Sequence, residues 1–329
     1  MWYTKFGNMG DVVLSSRVRL ARNIEKTPYG SKMTEENRSQ VIEMCKSALP
    51  DMKFIDLSNM SQLERLALSE CHLISPEIAA SSDKCGILTI EPCNLCIMLC
   101  EEDHIRIQAM CEGLDLERCL NEAYKIDDKL DSTLPIAFDA KFGYLTCCPT
   151  NTGTGLRASV MVHLPALTES GNIDALVRSL TKHGITVRGI YGEGSAALGN
   201  IYQISNQITM GISEEETIEK LNQVINEIIQ KEREVGQQLY AANRYRLEDR
   251  IMRGKGILEN SRFMTSKEAM NLLSDVRWGI NLGIIQDINL ETLADAMYKT
   301  LPANIAKTYN LTNADERDLK RSEVLRKTI

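Results

Sequence analysis

Short apolar runs separated by turns fill the first two thirds of the chain. Gly86–Ile90, Leu95–Cys100, Ile105–Cys111, Tyr144–Cys148, Ala158–Leu164, Thr186–Tyr191 and Ile201–Ser205 have the composition of strands. The connection Glu101–His104 is too short for a crossover helix, so neighbouring strands are expected to pair antiparallel. Helical spacing marks Glu35–Ser47, Gln62–Leu73 and Ile173–His183. The class is α+β, an antiparallel sheet flanked by helices. From Ser213 the period changes. Ser213 with Glu216 writes a capping box, and Ile218, Leu221, Val224, Ile225, Ile228 and Ile229 follow as one stripe. Thr265 with Glu268 opens another helix carrying Leu272, Leu273 and Val276. No candidate strand follows Ser205, which predicts two domains, 10–233 and a small all-α domain at 234–329.

Composition narrows the class further. Hydrophobic residues make up 43% of the 329 and charged residues 25%, as in packed soluble proteins. A net charge of −7 argues against a nucleic-acid partner and suits a cationic one. The opening residues lack the apolar core of a secretory signal, and Asn200, Gln203, Asn206 and Gln207 interrupt the uncharged stretch from Gly194 to Ser213. Neither export nor a membrane partner is expected, and the location is read as cytoplasmic. Ten cysteines then imply reduced thiols. Cys93, Cys96, Cys100 and Cys111 could hold zinc, but no second CxxC completes the spacing, so they are read as packed thiols and no resident metal is assigned.

Four short segments carry candidate chemistry. In Ser15-Ser16-Arg17-Val18-Arg19, strand spacing puts Arg17 and Arg19 on one face, able to meet an anion together; alone, the segment reads as a cationic edge strand. Glu101-Glu102-Asp103-His104-Ile105-Arg106 crowds three carboxylates, which raises the pKa of at least one if they are buried. Cys147-Cys148-Pro149 leads into a loop with Gly153 and Gly155, ending at Arg157. Such a loop can approach phosphate closely, although no Walker lysine follows. Last, Arg188-Gly189-Ile190-Tyr191-Gly192-Glu193 presents one carboxylate between glycines.

SSRVR, EEDHIR, CPTNTGTGLRAS and RGIYGE, in this order, resemble the signatures of the phosphagen (guanidino) kinase family over about residues 10–233. The likeness is nearest to the family's protein-arginine kinases. SSRVR begins at residue 15, leaving no room for the helical guanidino-binding domain of metabolic members, and a helical extension follows instead. RASVM places Met161 where metabolic members usually have histidine. Arg317-Asp318-Leu319-Lys320-Arg321-Ser322 is similar to a phosphoarginine-binding motif, with Ser322 in place of its usual alanine.

The resemblance implies a phosphagen kinase catalytic domain of glutamine-synthetase-like fold that uses ATP with Mg²⁺ bound through the nucleotide. Its nucleotide site would comprise Ser15, Ser16, Arg17, Val18, Arg19, His72, Arg106, Arg157, Ala158, Ser159, Val160, Met161, Arg188, Gly189, Ile190, Tyr191, Gly192 and Glu193. A guanidinium of pKa near ~13.8 is a poor nucleophile until it loses a proton. Glu102 and Glu193 match the carboxylates that grip it and take that proton, and Cys148 matches the reactive cysteine that contacts it. Cys147, if on a strand, would face the other way. Arg317, Asp318, Arg321 and Ser322 would form an allosteric phosphoarginine site. The implied partners are arginine-bearing protein substrates including a heat-shock repressor, an activator protein, a Clp ATPase/protease downstream, and a second copy of the chain in a homodimer. A small-molecule arginine kinase and a catalytically dead phosphoarginine-binding adaptor are the alternatives.

Overall fold

The computed structural model describes residues 5–90, 94–189 and 197–329. Its centre is an eight-stranded sheet whose neighbours are all antiparallel. The strands are β1 (Val13–Arg22), β2 (Lys53–Asp56), β3 (Gly86–Ile90), β4 (Leu95–Leu99), β5 (Ile105–Glu112), β8 (Leu156–His163), β9 (Ile185–Gly189) and β10 (Ile201–Asn206). A separate hairpin joins β6 (Phe138–Asp139) to β7 (Gly143–Tyr144). The sheet order is β2-β3-β4-β5-β1-β8-β10-β9.

β1 is therefore central, with β5 on one side and β8 on the other. The edge-strand reading of its cationic segment is corrected: both edges carry ladder bonds, and its arginines line a cavity on one sheet face. Val18 and Leu20 alternate with those arginines and enter the apolar core under α4 (Leu116–Thr133). That helix is absent from the sequence reading. Its N-cap Asp115 and its buried Leu116, Cys119, Leu120, Ala123, Ile126 and Leu130 are nonetheless correctly spaced for one.

A second correction concerns Tyr144–Cys148. Only Gly143–Tyr144 is strand, and the cysteines lie in an irregular segment before a 3₁₀ turn at Pro149–Asn151. No strand ladder therefore sets the faces of Cys147 and Cys148.

The first large helices are α1 (Glu35–Ala48), α2 (Gln62–Glu70) and α3 (Pro76–Ala80); α5 (Pro165–Glu169) and α6 (Ile173–Lys182) follow β8. The Ser213–Glu216 capping box forms and opens α7 (Glu214–Asn260), a 47-residue helix with non-helical geometry at Asn243. Residue 234, where the texture of the sequence changes, lies inside it. After it come α8 (Ser266–Asn281), α9 (Leu290–Lys299), α10 (Pro302–Tyr309) and α11 (Ala314–Thr328). These helices pack onto the sheet and α2. His163 Nε2 meets Ser274 Oγ at 2.8 Å, and Glu70 accepts from the backbone N–H of Ala303 and Asn304 at the start of α10. Among the described residues, no helix is long and apolar enough to cross a membrane.

Candidate active site

Antiparallel register gathers distant arginines on one sheet face. Arg19 sits opposite Gln108 on β5 and Arg157 on β8; Arg17 sits opposite Ser159; Arg188 sits opposite Gln203. Arg17, Arg19, Arg106, Arg157 and Arg188, with Met161 and Gly189, line a cavity of about 790 Å³. Polar neighbours fix the first of these. Arg17 donates from Nε to Ser159 Oγ at 3.2 Å and from Nη2 to Gln203 Oε1 at 3.1 Å. Arg157 reaches Ser205 Oγ at 3.4 Å. Arg19 Nε is buried without a hydrogen-bond partner. Burial, then Arg157 and Arg106, pull the Arg17 pKa down to about 10; burial, then Arg17, Arg106 and Arg157, depress Arg19. Crowded cations around an unused N–H donor suit a polyphosphate, which would relieve the repulsion.

The β4–β5 hairpin delivers the carboxylates. Cys100 turns it in a left-handed conformation (φ 62°), and its N–H donates to His104 O. The three acidic residues then separate in role. Glu101 pairs with Arg106 inside the cavity wall. Glu102 stands exposed at the rim, with Arg106 Nη2 3.3 Å from its Oε2. Partial desolvation at the cavity mouth raises the Glu102 carboxyl above its ordinary value; Arg106 opposes this, and Asp103, Glu101 and Glu77 add to it.

Asp103 points inward, fully buried. Its Oδ1 accepts from Asn23 Nδ2 and from the backbone N–H of Cys147, each at 2.7 Å. The carboxylate hairpin is thereby tied to the cysteine loop. His104 completes the knot. Its Nδ1 accepts from Ile24 N–H and its Nε2 donates to Pro28 O, both at 2.9 Å, so it is a neutral structural ring, and burial depresses its pKa.

The glycine loop is equally fixed. Gly153 has φ 116°, and a Cβ there would lie 2.2 Å from Thr209 O; Gly155 has φ 66° and passes against Ala21 O. Arg22 Nη1 donates to Thr154 O at 3.0 Å from beneath. Cys148 is half-buried, with Sγ 3.0 Å from Thr150 Oγ1, and Asn151 of the same loop lines the cavity.

His72, at φ 57°, lines the other end, and its carbonyl accepts from Gln108 Nε2 at 2.7 Å. Burial and then Arg17 push its pKa to about 3, so it is neutral. The Tyr298 ring stands edge-on to it, with centroids 6.4 Å apart. Met270, Met297, Tyr298 and Leu301 close this wall from the C-terminal helices. Sequence reasoning missed these four, because no local motif marks a residue that reaches a site from another part of the chain.

Several expected residues lie elsewhere. Val18, Ala158 and Val160 belong to the apolar core on the opposite sheet face. Ser15 is buried outside the cavity lining, and Ser16 Oγ bonds Gly113 O and Asp115 N–H. Ile190, Tyr191, Gly192 and Glu193 fall outside the described residues, as does Cys93. Cys96, Cys100 and Cys111 are buried, and no metal-holding group of three or more His, Cys, Asp or Glu occurs among the described residues.

The C-terminal motif is not the solvated, fraying helix that a charged terminal run suggests. Arg321 is 1% exposed and donates to Thr300 O at 2.8 Å, Met264 O at 2.9 Å and the Asp318 carboxylate. Ser322 Oγ donates to Arg262 O, whereas Arg317 is half-exposed.

Known proteins resemble the chain in sequence and in fold. Residues 33–235 match the ATP:guanido phosphotransferase C-terminal catalytic domain, and residues 244–329 match the protein-arginine kinase McsB C-terminal domain. The protein-arginine kinase of Caldanaerobacter subterraneus subsp. tengcongensis is 47% identical over 323 residues, covering 95% of each chain. That of Halothermothrix orenii is 41% identical over 331 residues, covering 99% of this chain and 95% of its own. Among solved structures, lombricine kinase superposes with a TM-score of 0.60 at 27% identity, covering 72% of this chain and 69% of its own. A duplicated taurocyamine kinase from Schistosoma mansoni, with bound transition state analog components, also gives 0.60, at 28% identity. That match covers 69% of this chain and 34% of the duplicated one. This chain belongs to the guanido phosphotransferase family and, within it, to the protein-arginine kinases.

Proposed function

We propose that this kinase moves the γ-phosphoryl group of Mg·ATP onto arginine side chains of proteins, with the sheet's arginines as the phosphate cradle. The observation that carries this reading is the convergence of Arg17, Arg19, Arg106, Arg157 and Arg188 on one cavity with Glu102 at its rim. The cradle neutralises the polyphosphate and stabilises charge that develops on the transferring group. Mg²⁺, carried on the nucleotide, supplies further counter-charge. The base end lies toward His72, Met161 and Tyr298, where the wall is apolar and aromatic.

Glu102 and Glu193 hold the acceptor guanidinium by paired hydrogen bonds. They align one nitrogen on the phosphorus and accept its proton as the new bond forms. The upward shift of Glu102 suits a base. Cys148, presented by the loop that Asp103 anchors, contacts the same guanidinium.

In the C-terminal motif, Arg321 and Ser322 organise the site from within, and Arg317 with Asp318 receives a phosphoarginine that favours the active state. The wider setting proposed is cytoplasmic: a homodimer that works with an activator protein, marks proteins for Clp-type proteolysis and controls a heat-shock repressor.

Incubation with ATP and an arginine-rich protein should give an acid-labile phosphoryl adduct on arginine by mass spectrometry. Phosphorylation of free arginine alone would replace the protein substrate with a small one, and no transfer to either would overturn the enzyme. For the motif, phosphoarginine binding is measured calorimetrically after Cys148 has been alkylated. Loss in Arg317→Ala supports the site; equal binding by both proteins, or none by either, overturns it.

A further inference from the structure

We propose that Cys147 is a resolving thiol for Cys148, and that oxidation closes a reversible Cys147–Cys148 disulfide that switches phosphoryl transfer off. The switching half of this inference rests on the acceptor-contacting role given above to Cys148; the bond itself does not. Of the nine cysteines in the described residues, seven are buried. The two that solvent reaches are adjacent, exposed Cys147 and half-buried Cys148. Their segment belongs to neither strand nor helix, so no ladder holds the side chains on opposite faces. The Cys147 backbone is pinned through its N–H to buried Asp103, and its Sγ lies over Gly30, where an added Cβ would meet it at 3.0 Å. Partial desolvation against the loop, then the Asp103 and Glu102 carboxylates, raises the Cys147 thiol above its ordinary value. A thiol kept protonated is a poor first target for an oxidant and remains available to resolve a neighbour's oxidation.

The chemistry balances with a hydroperoxide as oxidant. Cys148, as its thiolate, attacks peroxide; the hydroxide released takes up the thiol's proton, giving a sulfenic acid and water. The Cys147 sulfur then attacks the Cys148 sulfur, the S–S bond forms, and the hydroxyl leaves as a second water with the Cys147 proton. Two thiols have lost two electrons and two protons, and one peroxide has become two waters. Adjacent Cα atoms sit about 3.8 Å apart, below the roughly 4.4–6.8 Å usual for disulfides. The closed ring is therefore strained and readily opened by small thiols, as a reversible device requires.

Tryptic peptide Phe142–Arg157 contains both cysteines and no others. The intact protein is treated with excess hydrogen peroxide, alkylated with iodoacetamide, digested and weighed, with kinase activity read in parallel. The expected peptide is unalkylated and lighter by two hydrogen atoms, activity falls in step, and dithiothreitol restores both. Cys147→Ser should start with most of the wild-type activity, go on to sulfinic and sulfonic acid at Cys148, and stay inactive after dithiothreitol. Wild-type peptide carrying those acids without the vicinal bond, or a disulfide between two chains, would overturn the resolving role. Equal recovery of Cys147→Ser would do the same. The vicinal bond with full activity retained would overturn the switch and place the failure in the catalytic role of Cys148.

Discussion

Three consecutive carboxylates in one hairpin serve three purposes because each meets a different environment. Glu101 neutralises Arg106, Asp103 accepts backbone and amide N–H groups in the interior, and Glu102 alone reaches the rim. A base must be deprotonated to act, and the Glu102 pKa is raised by partial desolvation. The rate should therefore fall as pH drops through a value above the ordinary glutamate range. Glu102→Gln should lower kcat by roughly 10²–10⁴-fold and remove that acid limb, while ATP affinity holds. A pH–rate profile of the variant that keeps the wild-type limb would assign it to another group. The same loss in kcat is expected for Glu193→Gln. At this scale the cavity lining was most legible, since Arg17, Arg19, Arg106 and Glu102 lie in motifs a few residues long. The bond between Asp103 and Asn23 could not be read there, because it joins segments 80 residues apart in the chain.

Elements hold these residues in place through a few buried polar joints. Arg22, 1% exposed, spans the Asp127 carboxylate at 2.6 and 2.9 Å and carries the Tyr144 ring 3.4 Å from its Cζ. It thereby links β1, α4 and the glycine loop. Arg22→Met would leave a buried carboxylate unpaired, at a cost of about 3–5 kcal/mol in urea unfolding. Adding Asp127→Leu should recover most of that; no recovery would show that Arg22 acts through packing alone. Glu232 of α7 accepts from Ala166 and Leu167 N–H at 2.7 and 2.9 Å, and burial lifts its pKa from 4.5 to about 7 against those bonds. A raised folded-state pKa means its contribution is complete below pH 4.5 and is lost as pH rises to about 7. Glu232→Gln should flatten the stability profile across that window, as urea midpoints at stepped pH would show. Strands with strong local signals were readable. The central position of β1 was not, because partners more than eighty residues away set it. Nor was α4, whose polar face of Glu117, Arg118, Glu122, Lys125 and Asp128 obscures a regular apolar stripe.

Across the whole molecule, the C-terminal helices complete the cavity that the sheet begins. The texture of the sequence suggested two domains in succession; residue 234 lies within α7, whose helical geometry breaks at Asn243. Glu70 at the end of α2 takes the first N–H groups of α10, and His72, two residues later, meets Tyr298 from α9. Any movement of α9 and α10 thus reaches the cavity through α2. Arg321 of α11 bonds the carbonyl of Thr300 just beyond α9, so a ligand on the C-terminal motif has a short mechanical route to the same wall. Tyr298 is the residue where this coupling can be read. Truncation in Tyr298→Ala removes one edge-on aromatic partner, worth about 0.5–1.5 kcal/mol, or roughly two- to tenfold in binding. KM for ATP should rise by that factor, with a smaller change in kcat, as the proposed placement of the base against this wall requires. A fall in kcat at unchanged KM would mean that Tyr298 acts on the chemistry through the position of α2, and the apolar wall would lose its role in holding the base.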